Sequence, residues 1–155
     1  MAPRVVIEHR LGVQAPAHEI WKIIGDLPSW KDWNPLYTSV EGSLGFGAPL
    51  KLTVNIPGRK PEVIVPIVES WTPDELIHWR LKAAGGLLKT IRYIEIEALT
   101  DTGCIFSNGE IFEGFAARFM GKRMVGQIKS GFRAMGEAVK ERAEAAWQAQ
   151  ALALT

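Results

Sequence analysis

The clearest pattern in the chain is a helical one near its end. At about 100° per residue, Met124, Ile128, Phe132, Met135, Val139, Ala143 and Ala146 fall on one arc. Lys122, Lys129, Arg133, Glu137, Lys140, Glu141 and Glu144 fall opposite. That predicts an amphipathic helix of roughly 30 residues, about 45 Å long, beginning after residue 116. Upstream the period drops to two. Strand-like segments at 36–43, 48–56, 61–72, 75–84, 87–99 and 103–114 are separated by Gly42–Gly47, Pro57-Gly58, Pro73-Asp74, Gly85-Gly86 and Thr100–Gly103. Connections this short favour antiparallel pairing. Residues 4–11 add a first strand. Pro16 suits the start of a short helix ending at Gly25-Asp26, and Leu27–Trp33 forms a second helical turn closed by Asn34-Pro35. All nine prolines lie at or before Pro73, which keeps the long helix uninterrupted.

One long helix against six or seven antiparallel strands is an α+β domain. A sheet curved about a single helix leaves space at the helix ends, so the pattern predicts an apolar hollow that side chains do not plug. Parity identifies its walls. Leu50, Leu52, Val54 and Ile56 share a face, as do Ile77, Trp79 and Leu81, with His78, Arg80 and Lys82 outside. Leu88, Ile94, Ile96 and Ala98 share a face that also carries Arg92. Cys104, Phe106 and Phe112 share one with Asn108 and Glu110. A five-residue loop, Leu99–Gly103, pairs residue 98 with 104 and therefore Arg92 with Glu110. Stranding either charge on an apolar face would cost several kcal/mol, so the two either neutralise each other in a packed wall or anchor the polar part of a ligand. Gly121, Gly126, Gly131 and Gly136 recur every five residues in the helix, each costing about 1 kcal/mol against alanine. They reflect curvature, or room left beneath the helix.

Composition narrows the function classes. At 155 residues the chain forms one domain, 1–155, with 47% hydrophobic and 23% charged residues and a net charge of +1. The opening Met1-Ala2-Pro3-Arg4 runs straight into a strand, no apolar run approaches the ~20 residues of a membrane span, and Cys104 has no partner. These features point to a reduced, cytoplasmic protein. His9, His18 and His78 lack ligand spacing, so neither a metal nor another cofactor is expected. On the long helix and its lead-in, Arg118, Lys122, Arg123, Lys129, Arg133, Lys140 and Arg142 outnumber Glu137, Glu141 and Glu144. The excess reads as a solvated face; peripheral membrane contact or an acidic protein partner is the alternative. No aromatic stripe interleaves these cations, which argues against nucleic acid. Monomer and homodimer both remain open.

Two short motifs add a resemblance. Trp30-Lys31-Asp32-Trp33-Asn34-Pro35 resembles the W-x-x-W-N-P signature of the START-like (SRPBCC) superfamily, and Glu110-Ile111-Phe112-Glu113-Gly114 its E-x-F-x-G segment. The resemblance implies a helix-grip fold: a curved seven-stranded antiparallel sheet around one long C-terminal helix, with two short helices after the first strand. It also implies a cavity for a lipid, polyketide or other small hydrophobic molecule. The candidate ligand-binding residues are Arg92, Glu110, Trp79, Trp33, Tyr37, Asn108, Phe112, Met124 and Ile128, with Tyr93 as a further polar contact. The function expected is binding of such a molecule for storage, transport or sensing. The alternative is an enzyme resembling a polyketide cyclase or dehydratase, with Glu110 as general base and Arg92 stabilising an enolate oxygen.

Overall fold

The computed structural model describes residues 3–155. Strand β1 (Arg4–Val13) leads into α1 (Ala17–Ile24), whose N-cap is Pro16. A 3₁₀ turn (Leu27–Ser29) and the single-turn α2 (Trp30–Trp33) follow. Then come β2 (Tyr37–Glu41), β3 (Lys51–Val54), β4 (Glu62–Ile64), β5 (Ile67–Thr72), β6 (Leu76–Ala83), β7 (Leu88–Thr100) and β8 (Gly103–Glu113). A second 3₁₀ turn (Ala84–Gly86) lies between β6 and β7, and a third (Phe115–Phe119) precedes the terminal helix α3 (Lys122–Ala153). The helix-grip architecture is as expected; the strand count is not.

Eight strands form two antiparallel sheets, β1-β8-β7-β6-β5 and β2-β3-β4, rather than one sheet of seven. The expected strand 61–72 is broken at Pro66, which has no N–H to give to a ladder. Its carbonyl instead accepts from the Leu50 amide (3.0 Å), while Val68 donates to Ala48 (2.8 Å) and Gly47 donates to Val68 (2.9 Å). A lone bridge, Pro49 to Ile67, joins the two sheets at this corner. Helix α3 starts later than the sequence suggested. Gly114, at φ +116°, diverts the chain into the 3₁₀ turn, and Gly121 caps the helix.

Packing of α3 on the sheet explains two of its four glycines. A Cβ on Gly136 would sit 3.0 Å from His9 and Leu11 of β1, and one on Gly131 would sit 3.0 Å from Leu36. Both are close approaches of helix backbone to its neighbours. Gly121 and Gly126 face open space. The buried stripe runs Ile128, Phe132, Met135, Val139 and Ala143, matching the predicted arc except that Ala146 is exposed and Trp147 half-buried.

Candidate functional site

The strand register sets the inner face of the five-stranded sheet as a series of rows. One row reads Val68, Trp79, Arg92, Glu110, Ile7 across β5, β6, β7, β8 and β1. The pairing of Arg92 with Glu110 is therefore the one the hairpin arithmetic required. Arg92 Nε lies 3.0 Å from Glu110 Oε2, with both residues buried. Burial works against the charge on Arg92, but the adjacent Glu110 carboxylate outweighs it and raises the guanidinium pKa above its usual value.

Tyr37 reaches this pair from the smaller sheet. The Asn34 side-chain oxygen accepts from the amides of both Leu36 and Tyr37 (3.0 Å each), and this turn aims Tyr37 inward. Its ring stacks on Trp30 (5.5 Å) and meets Trp79 edge-on (5.6 Å), and the Arg92 guanidinium carbon lies 5.8 Å from its centroid. Burial pushes the Tyr37 phenol up to about 12. Asn108, one row deeper on β8, donates through Nδ2 to the Phe132 carbonyl of α3 (3.0 Å).

Six polar atoms of this patch are buried without a hydrogen-bond partner: Trp79 Nε1, Thr90 Oγ1, Arg92 Nε and Nη1, Asn108 Oδ1 and Glu110 Oε1. Arg92 Nε is within ion-pair distance of Glu110 but off the hydrogen-bond direction. Only three other side-chain atoms among the described residues share that condition, on His9, Asn34 and Trp71. Leaving a buried polar atom unpaired costs about 1–3 kcal/mol, so six concentrated on one wall require an explanation.

The open hollow expected from the sequence is absent around these groups. Trp30, Tyr37, Trp79, Phe106, Phe132 and Met135 are each 0–1% exposed, and together they fill the space between sheet and helix behind Arg92. Five aromatic side chains and a methionine simply occupy the volume that curvature creates. Exposure rises toward the N-terminal end of α3. There Leu81, Leu88, Ile56, Met120 and Met124 are half-buried against the core, beyond the row Leu81, Thr90, Phe112. A concavity of about 740 Å³ does exist, but on the outer face of the sheet, lined by Val65, Ile67, Arg80, Lys89, Ile91 and Ile111 among others.

Residues 4–144 match the family described as polyketide cyclase / dehydrase and lipid transport. The chain belongs to this family. Solved structures agree on the fold of this SRPBCC, START-like protein. A START superfamily protein from Mycobacterium smegmatis superposes with a TM-score of 0.70 at 17% identity, covering 90% of this chain and 97% of the other. A norcoclaurine synthase point mutant from Thalictrum flavum, in complex with a transition-state analogue, gives 0.66 at 16% identity, covering 92% and 96%. The di-domain aromatase/cyclase StfQ from the steffimycin biosynthetic pathway gives 0.64 at 13% identity, covering 96% of this chain and 52% of that one. No curated protein matches the chain in sequence.

Within this family member, five of the candidate residues are brought together: Arg92, Glu110, Trp79, Tyr37 and Asn108. Phe112 lies one row nearer the β6–β7 turn, and Ile128 and Met124 continue the α3 stripe in the same direction. Trp33 is elsewhere. It is half-buried beside Ala138, Glu141, Arg142 and Ala145 in a shallow groove between α2 and α3, donating to Ser29 Oγ (3.3 Å). Tyr93 points to the opposite face of the sheet and donates to Glu8. Odd and even positions of β7 face opposite sides, so Tyr93 cannot join Arg92. Thr90 was missed, although it shares Arg92's parity on β7 and could have been read from it. Among the described residues, no helix is long and apolar enough to cross a membrane.

Proposed function

We propose that this protein binds a small, uncharged, largely apolar molecule carrying both a carbonyl and a hydroxyl group, held at the Arg92/Glu110 wall. The cluster of six partnerless polar atoms carries this reading. Trp79 Nε1 and Arg92 Nη1 are donors suited to a carbonyl. Glu110 Oε1 and Asn108 Oδ1 are acceptors suited to a hydroxyl, and Thr90 Oγ1 can serve either. Because Arg92 and Glu110 already balance each other, a neutral ligand adds no uncompensated charge. The apolar remainder would lie toward Leu81, Leu88, Phe112, Met124 and Ile128, gaining roughly 25 cal/mol for each Å² buried. Entry requires the Tyr37–Trp79 contact to part.

Native mass spectrometry of the purified protein, with titration of the neutral apolar dye Nile red, tests this. The expected result is a co-purifying or exchangeable ligand, dye binding, and at least ten-fold weaker binding in Arg92→Met. Absence of both ligand and dye binding would overturn the reading.

A second reading rests on the free oxygen of Glu110 beside a guanidinium. That pairing could take a proton from a ligand carbon while Arg92 steadies the resulting enolate oxygen, as in a cyclase or dehydratase. The names of two neighbours, a synthase and an aromatase/cyclase, support testing it. Glu110→Gln should then abolish turnover of a bound β-keto substrate while leaving its affinity within a few-fold.

A further inference from the structure

One end of the domain combines exposed aromatics with unpaired cations. The 3₁₀ turn Phe115–Phe119 is pinned by buried Ala117 and by a bond from the Ala116 amide to the Leu87 carbonyl (3.1 Å). It therefore sits against the β6–β7 turn. Phe115 and Phe119 face each other at 5.6 Å, and they are 53% and 74% exposed; neighbouring Leu87 is 56% exposed. Arg118 lays its guanidinium 5.5 Å from the Phe115 ring. Lys122 and Arg123 follow in the first turn of α3.

The charge here runs against the fold's own interest. From Gly114 to Gly136 the sequence has no acidic residue but carries Arg118, Lys122, Arg123, Lys129 and Arg133. None of the five forms an ion pair with a described residue. Helix N-termini favour acidic side chains, yet the first turn of α3 has none and holds two cations. Local stability does not account for that arrangement, and an external anion does. The apolar groups are a protruding pair on a tight turn rather than a flat face, a shape suited to insertion at the headgroup boundary. Arginine and lysine stems can extend beside them.

We propose that Leu87, Phe115 and Phe119, ringed by Arg118, Lys122 and Arg123, form a docking surface for an anionic phospholipid bilayer. The surface stands on these exposed residues alone. Taken with the ligand-binding reading, it would place the half-buried residues Leu88, Met120 and Met124, and hence the ligand's route inward, at the membrane.

The test is co-sedimentation of the full chain with vesicles of phosphatidylcholine alone or with 30% phosphatidylserine. Binding to the phosphatidylserine vesicles is expected, weakening about five-fold for each of Arg118→Gln, Lys122→Gln and Arg123→Gln, and about ten-fold for Phe115→Ala or Phe119→Ala. Lys140→Gln and Arg142→Gln, farther along α3, should leave it unchanged. A Phe119→Trp reporter should shift its emission to shorter wavelength on binding. No sedimentation with phosphatidylserine vesicles would overturn the proposal. So would cation-dependent binding that ignores both phenylalanines and is matched by polyglutamate, since that result assigns the surface to an acidic macromolecule. Nile red binding in the same variants should equal that of the unaltered protein, so a failure of docking is distinguishable from a failure of the pocket reading.

Discussion

The Arg92–Glu110 pair allows a sharp separation of stability from function. Its charges are 3.0 Å apart with side chains 11% and 2% exposed. At an effective dielectric of 20, their attraction is about 5 kcal/mol. Removing two ions from water costs a comparable amount, so the intact pair contributes little net stability. Breaking it is different. Arg92→Met leaves a buried carboxylate alone, and Glu110→Leu leaves a buried guanidinium alone; each should lose about 3–5 kcal/mol. For a domain of this size that lowers the melting temperature by roughly 6–20 °C. The double variant Arg92→Met/Glu110→Leu removes both desolvated charges and should recover to within about 1 kcal/mol of the original, with ligand binding lost. Urea denaturation of all four proteins closes the cycle. If the double variant loses as much as the two single variants summed, the pair is a net stabiliser of the wall and the argument that it serves a ligand fails.

Four further predictions follow from local geometry. Gly126→Ala should stabilise by up to about 1 kcal/mol, because its Cβ meets nothing within 4 Å. Gly109→Ala should destabilise by more than about 2 kcal/mol, because its Cβ would lie 2.5 Å from the Ile7 carbonyl oxygen and 2.6 Å from the Tyr93 hydroxyl; urea midpoints read both. Burial alone would raise the Glu19 pKa, but hydrogen bonds from Gln150 and Lys22 hold it below the usual carboxylate value. Its contribution is therefore present above pH ~4.5 and lost as pH falls through the depressed value, so Glu19→Gln should lower stability at pH 7 and flatten the acid limb of a pH–stability profile. Burial pushes the Cys104 thiol up, and its Sγ faces the Ala15 carbonyl at 3.3 Å. A thiol reagent should label it only as fast as the protein unfolds.

The sequence was most legible where a period was long or a register was forced. The α3 stripe, the inner faces of β6, β7 and β8, and the pairing of Arg92 with Glu110 all follow from counting, because a strand fixes every second side chain once a hairpin loop is set. What counting missed was volume and local breaks. Periodicity places Trp79 inward and the family resemblance brings Tyr37 to the site, but neither says that the two meet, with Trp30, and close the interior. Pro66 looked tolerable inside an apolar run until its carbonyl proved to be turned toward the Leu50 amide. Trp33 was drawn toward the pocket by its motif, whereas a single-turn helix swings it toward the far half of α3.

The corner at Pro66 has a mechanical consequence. The three-stranded sheet carries Tyr37 on its first strand, and it is tied to the larger sheet there by three backbone hydrogen bonds around one bridge. The corner can act as a hinge, with the smaller sheet as a flap whose outward swing would draw Tyr37 away from Trp79 and leave the eleven-residue strand β8, with its Glu110, undisturbed. A proline that interrupts a strand would thereby let a filled interior breathe.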